Sequence, residues 1–218
     1  MLKPIVELAK KVAFRHTKLG APRYEFNVEP IQLATLVMEL ERLKDIDGNV
    51  VEIGVARGMT TRFLAQHIAN QKLDKSLSYY AIDTFESFTN ADLMYEVEHR
   101  GKSLVDLQGF AYNDQIIWQR NFLDFPFVKA IKADCSTYDY SKIQPIKLTF
   151  LDVDLYLPTK NSLPKIYDAT VSGGVILVDD VLNNSTYDGA YQAFIEFCEE
   201  NNLPKKIIGN KCGFIQKI

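Results

Sequence analysis

The stretch Asn49-Val50-Val51-Glu52-Ile53-Gly54-Val55-Ala56-Arg57-Gly58 decides the fold. Residues 49–55 read as a buried strand, rich in the β-branched residues that pack well on a pleated surface. The glycines then let the backbone turn tightly into a helix over 60–70, where Phe63, Leu64, His67 and Ile68 recur at helical period. Strand, glycine turn and helix are the opening of a βαβ unit.

The same alternation spreads outward. Upstream, Pro30 opens a helix over 31–44, with Leu33, Leu36, Val37 and Leu40 on one face. Downstream, apolar strands are predicted over 77–82, 128–133, 146–151 and 175–178. A helix over 158–167 is expected to kink or restart at Pro164, and another spans 188–200. Gly173-Gly174 reads as a turn into the fifth strand. A hairpin around Gly209-Asn210-Lys211 joins two short strands, 206–208 and 213–218. Strands alternating with helices imply an α/β fold, a doubly wound and mostly parallel sheet with helices on both faces. The segment 84–127 is far longer than a crossover needs. It carries Phe85, Phe88, Tyr95, His99, Arg100 and Trp118, and reads as a substrate-side insertion or as extra helices packed on the sheet.

At 218 residues the chain is expected to be a single domain, 1–218, with an N-terminal helical cap over about 1–45. Size scaling gives a folded surface of about 10,000 Å². Lys plus Arg number 25 and Asp plus Glu 28, a net charge of −3 with no basic run, which argues against a nucleic-acid partner. Cys135, Cys198 and Cys212 form neither a CxxC pair nor an even set, so neither a zinc ribbon nor a disulfide framework is expected. No signal peptide or spanning segment is read near the N-terminus, which points to a cytoplasmic protein with no membrane partner.

Five strands deliver an acid to one sheet edge: Glu52, Asp83, Asp134, Asp152 and Asp179. Ligands of open α/β sheets bind beyond that edge. The turn is E-x-G-x-x-x-G, with Ala56 where the dinucleotide fingerprint has its middle glycine. Glu52 would repel a pyrophosphate and attract an amino group or a sulfonium. Asp83 ends the second strand, where a carboxylate grips ribose hydroxyls, and Asp134-Cys135 could close over an adenine. Asp152 and the pair Asp179-Asp180 end neighbouring strands about 5 Å apart. Such carboxylates repel unless a hard divalent cation, Mg²⁺ first, lies among them. The plainer alternative is that one aspartate caps a helix and another pairs with a lysine.

In four blocks the sequence resembles the class I S-adenosylmethionine-dependent methyltransferases, and among them the macrocin O-methyltransferase family. The blocks are V-E-I-G-V-A-R-G from Val51, A-I-D-T-F-E-S-F from Ala81, F-L-D-V-D-L-Y from Phe150 and G-G-V-I-L-V-D-D from Gly173. The resemblance implies a Rossmann-like seven-stranded sheet of order 3-2-1-4-5-7-6 with one antiparallel strand. It places Glu52, Gly54 and Gly58 along the methionine end of S-adenosyl-L-methionine, Asp83 at the ribose and Asp134 at the adenine. Val55, Ala56, Thr84, Cys135 and Asp152 are the further cofactor-binding candidates. It makes Asp152, Asp179 and Asp180 ligands of Mg²⁺ or another divalent cation, with Asp154 as an outer or alternative acid. Val153, where the family usually has glycine, and Pro164 depart from the pattern. The implied reaction is methyl transfer to a hydroxyl of a small molecule, such as a sugar or a polyketide or phenolic natural product. Asp152 or His99 would be the base. An NAD-linked oxidoreductase and a silent Rossmann-like scaffold are the competing readings. A homodimer is expected, with residues 1–29 as cap or interface.

Overall fold

The computed structural model describes residues 2–218. Seven strands, β1 (Asn49–Ile53), β2 (Tyr79–Asp83), β3 (Val128–Lys132), β4 (Ile146–Leu151), β5 (Thr170–Val178), β6 (Lys206–Ile208) and β7 (Cys212–Gln216), form one sheet. Its order is β3-β2-β1-β4-β5-β7-β6. The first five strands run parallel, and β7 pairs antiparallel with both β5 and β6. This is the expected order. Reversal between β1 and β4 opens a crevice at their carboxyl ends.

Seven α-helices accompany the sheet: α1 (Leu2–His16), α2 (Pro30–Arg42), α3 (Met59–Asn70), α4 (Asn90–Arg100), α5 (Gln115–Arg120), α6 (Tyr156–Ala169) and α7 (Asp188–Glu200). Helix α2 starts where Pro30 offers no N–H to waste, and Glu29 and Gln32 close a reciprocal capping box. Its Leu33, Leu36 and Leu40 join α3 and Trp118 of α5 over one sheet face, while α6 and α7 cover the other. Each fully buried Leu or Ile in these layers contributes about 1.5–3 kcal/mol. Among the described residues no helix is long and apolar enough to cross a membrane.

Three expectations change. Helix α6 runs unbroken through Pro164, where the buried Leu163 and Ile166 on either side hold it against the sheet despite the hydrogen bond that proline forfeits. Gly173-Gly174 lies inside β5, not before it. The register jumps there from Ile146↔Thr170 to Leu148↔Val175, and a Cβ on Gly174 would come within 2.7 Å of Thr170 Cγ2. The diglycine therefore forms a bulge. Strand β1 stops at Ile53, because Gly54 turns the chain with φ +79°.

The insertion both borders the crevice and packs on the sheet. Phe88 and Phe110 face the crevice, whereas Phe85, Trp118 and Phe122 are buried in the core. Trp118 stacks on Phe122 at 4.1 Å between ring centroids.

Candidate active site

A cavity of about 360 Å³ opens at the carboxyl ends of β1, β2, β4 and β5. Its floor is the crossing of two loops. A Cβ on Gly54 would lie 1.7 Å from the Asp152 carbonyl oxygen, so only glycine lets these chains cross. Asp83 ties the floor to the next loop. Its Oδ2 accepts from the Val55 and Ala56 amides at 2.8 and 3.3 Å, and its Oδ1 accepts from the Phe85 amide at 2.7 Å. Thr84 donates its hydroxyl to the Ser87 carbonyl at 2.6 Å. Gly54, Ala56, Asp83, Thr84, Asp134, Cys135, Asp152, Asp179 and Asp180 all line the cavity. Burial pushes the Cys135 thiol up to about 12, which keeps it protonated and a poor nucleophile.

Four residues from the sequence reading lie elsewhere. Glu52 is not part of the lining. On a strand successive side chains alternate faces, and Glu52 points with Val50 toward α3. There it is 2% exposed and accepts hydrogen bonds from the Thr61 and Tyr79 hydroxyls. Val55 supplies its amide to Asp83 while its side chain packs in the core. Gly58 caps α3 with φ +82°, and a Cβ there would strike Phe122 at 2.7 Å, so it serves close packing. His99 is exposed on α4, its ring against Tyr95, and does not reach the cavity.

At the far end the acids gather. Carboxylate oxygens of Asp152, Asp154 and Asp180 lie within 4.8 Å of one another. Asp154 sits in the left-handed region at φ +62°, which turns its side chain back to the cluster. Asp179 lies beside them, 3% exposed. It accepts from Gln32 Nε2 at 2.7 Å, from the Asp180 amide at 2.8 Å and from Lys211 Nζ at 3.1 Å. Lys211 also donates to Asp180 at 2.7 Å. Burial, then the charges of Asp179, Asp154 and Asp180, hold the Asp152 carboxyl far above the usual carboxylate range. Burial and a hydrogen bond with Asp180 do the same for Asp154. Burial disfavours the Lys211 ammonium, but its two aspartates outweigh that and hold it above the ordinary lysine range.

Four acids against one ammonium leave negative charge in excess. The all-oxygen donor set suits a divalent cation. The glycine-floored trough leading to it, with carboxylates at three strand ends, suits a nucleoside bearing a cationic group. Sequence reading missed Gln32, Lys211 and Asp92. Lys211 was within reach of inference, because pairing Val178 with Gly213 brings the hairpin turn beside Asp180.

The sequence profile of the macrocin O-methyltransferase (TylF) family matches residues 16–217. No curated protein matches the chain in sequence. Among solved structures, the O-methyltransferase NovP superposes with a TM-score of 0.71 at 17% identity, over 95% of this chain and 88% of that one. CalS11, a calicheamicin methyltransferase, gives 0.68 at 18% identity, over 98% and 85%. At such identities these likenesses speak for the fold. The family match sets aside the oxidoreductase and scaffold readings, and with the cavity described above it identifies the chain as a member of the macrocin O-methyltransferase family, an S-adenosylmethionine-dependent O-methyltransferase.

Proposed function

We propose that the enzyme methylates a hydroxyl of a sugar or sugar-bearing natural product with the help of a divalent cation, Mg²⁺ first. The observation that carries this reading is the group of four aspartates at one end of the cavity, with Lys211 as the one cation paired to them among the described residues. When bound, S-adenosylmethionine supplies an electrophilic methyl group and the cation lowers the pKa of the acceptor hydroxyl. Asp83 would hold the ribose and Asp134 the adenine, which directs the sulfonium toward the acids. Asp152, Asp179 and Asp180 would hold the cation, with Gln32 and Lys211 keeping Asp179 in place. The acceptor's proton would pass to Asp152 or its neighbour Asp154, whose carboxylate oxygens share the cluster with Asp180. Phe88, Phe110 and Tyr187 wall the cavity and exclude water from the transfer.

The related CalS11 is a TDP-rhamnose 3′-O-methyltransferase, so nucleotide-linked deoxysugars are the first acceptors to assay, with phenols as the comparison class. The decisive test measures S-adenosylhomocysteine binding and methyl transfer with Mg²⁺ and with EDTA. Wild-type turnover should need the cation. Asp180→Asn should lose turnover by about 10²-fold or more, as when a group stabilising developing charge is removed, and keep S-adenosylhomocysteine affinity within about threefold, under 1 kcal/mol. Full turnover in EDTA would sink the metal-assisted mechanism and leave the methyltransferase standing.

A further inference from the structure

We propose that Asp92 and Asp134 together grip the exocyclic amino group of the cofactor's purine, each accepting one of its two N–H hydrogens. The inference rests on the reading of this cavity as the S-adenosylmethionine site. It adds a residue, Asp92, that comes from the insertion and not from the sheet.

Asp92 lies in the first turn of α4, is 9% exposed and lines the cavity with Asp134, Cys135 and Pro158. Its Oδ2 accepts the Thr89 hydroxyl at 2.6 Å, and its own amide donates to Thr89 Oγ1 at 3.2 Å. This reciprocal bond fixes the carboxylate and leaves Oδ1 with no hydrogen-bond donor among the described residues. Asp134 is arranged likewise: Oδ1 accepts the Ser136 amide at 2.8 Å, and Oδ2 has no donor among the described residues. Two anchored carboxylates thus each present one free oxygen to the same cavity. Without a ligand they repel, and the charge of Asp134 adds to burial in raising Asp92.

A group with two hydrogens on one nitrogen relieves that repulsion. Its position names the group. Asp134 follows β3, three strands from β4 in the sheet, so about 14 Å separates it from the acids that end β4. That is the reach of a nucleoside lying along the sheet edge, and it removes Asp92 from the acceptor. The purine amino group is the donor that fits. A carbonyl oxygen in its place would face two anionic oxygens.

The test is calorimetric binding of S-adenosylhomocysteine against S-inosylhomocysteine, which carries a carbonyl where adenine carries the amino group. Wild-type protein should prefer the adenine compound by at least about tenfold, the worth of a hydrogen bond to a charged acceptor. Asp92→Asn retains an oxygen for Thr89. It should weaken S-adenosylhomocysteine about tenfold and narrow the preference, because its amide can donate to the carbonyl. Equal binding of the two compounds by wild-type protein, which needs no variant to fold, overturns the clamp. So does a preference unchanged in Asp92→Asn. If wild-type protein binds neither compound, the cofactor reading falls, and the clamp with it.

Discussion

Glu52 receives hydrogen bonds from Thr61 and Tyr79, yet burial, with a smaller push from the charge of Asp83, raises its pKa to about 7. An acid raised in the folded state keeps its proton there while the unfolded chain has already lost it. Between about pH 4.5 and 7 the folded state therefore binds the extra proton, and stability falls as pH rises. The whole effect is at most about 3 kcal/mol. Urea unfolding of wild type and Glu52→Gln across this window should show the wild type losing stability relative to the variant, with the gap constant above about pH 7.5. A wild type that gains stability relative to the variant with rising pH would refute it. Gly54 makes a second prediction. Ala there meets both a left-handed φ and the Asp152 carbonyl, so Gly54→Ala should cost at least about 2 kcal/mol and abolish S-adenosylhomocysteine binding by calorimetry. The glycine turn and the strand-end acids were legible because each is written in one short run of sequence. The destination of Glu52 was not, since alternation along β1 decides which face it meets. Gln32 and Lys211 reach Asp179 from 147 and 32 residues away, and only the assembled sheet makes them neighbours.

The loop that carries Asp152 and Asp154 is set by helices on both sides of it. Asp154's carbonyl accepts from the Ala190 amide at 3.2 Å, binding the loop to α7. Glu96 of α4 is 1% exposed; its Oε1 accepts the Tyr156 amide at 2.7 Å, at the first turn of α6, and its Oε2 accepts from Arg100 at 2.8 Å. A carboxylate at a helix N-terminus is favoured by the unpaired amides and the dipole there. Arg100 carries the link onward to Asp188 of α7 at 2.7 Å. The insertion is thus fastened to the acid-bearing loop through the buried Glu96 carboxylate, beside the Tyr95–Tyr156 stack and the Lys102–Asp188 ion pair. Glu96→Ala leaves the Tyr156 amide without its acceptor and Arg100 with Asp188 alone among its carboxylates, and should cost about 1–3 kcal/mol, a Tm drop of about 2–12 °C for a chain this size. Hydrogen exchange at the Tyr156 amide should quicken, whereas Glu96→Gln should recover part of the loss. Unchanged exchange would mean that α6 is held without α4. The periodicity that announced α2, α3 and α7 was plain in the sequence because each buries one stripe. Helices α4 and α5 show no such stripe: α4 buries Asp92 and Glu96, polar residues whose use depends on α6 and the cavity.

The folded chain exposes 11,849 Å², more than the roughly 10,000 Å² that its size predicts. Helix α1 contributes to the excess. Every residue from Lys3 to His16 except Ala13 is exposed, including Ile5, Leu8, Val12 and Phe14. The chain folds back on itself where Gly20 passes close to Phe14, a site with no room for a Cβ. The core is complete without it, since both hydrophobic layers begin after α1 and the sheet with its cavity draws only on residues from Asn27 onward. A deletion of residues 1–20 should therefore keep the protein folded. Its Tm should stay within about 2 °C of the full chain, the range of changes that touch only surface, and S-adenosylhomocysteine affinity should be unaltered. The measurement is a thermal melt of both forms at two protein concentrations differing a hundredfold. A 15-residue helix alone is marginal in water, so α1 has stability to gain from any surface that covers it. A full-length Tm that rises with concentration, together with a truncated form whose Tm does not, would put that surface on a second copy of the chain. A loss of Tm independent of concentration would mean that α1 stabilises its own subunit after all.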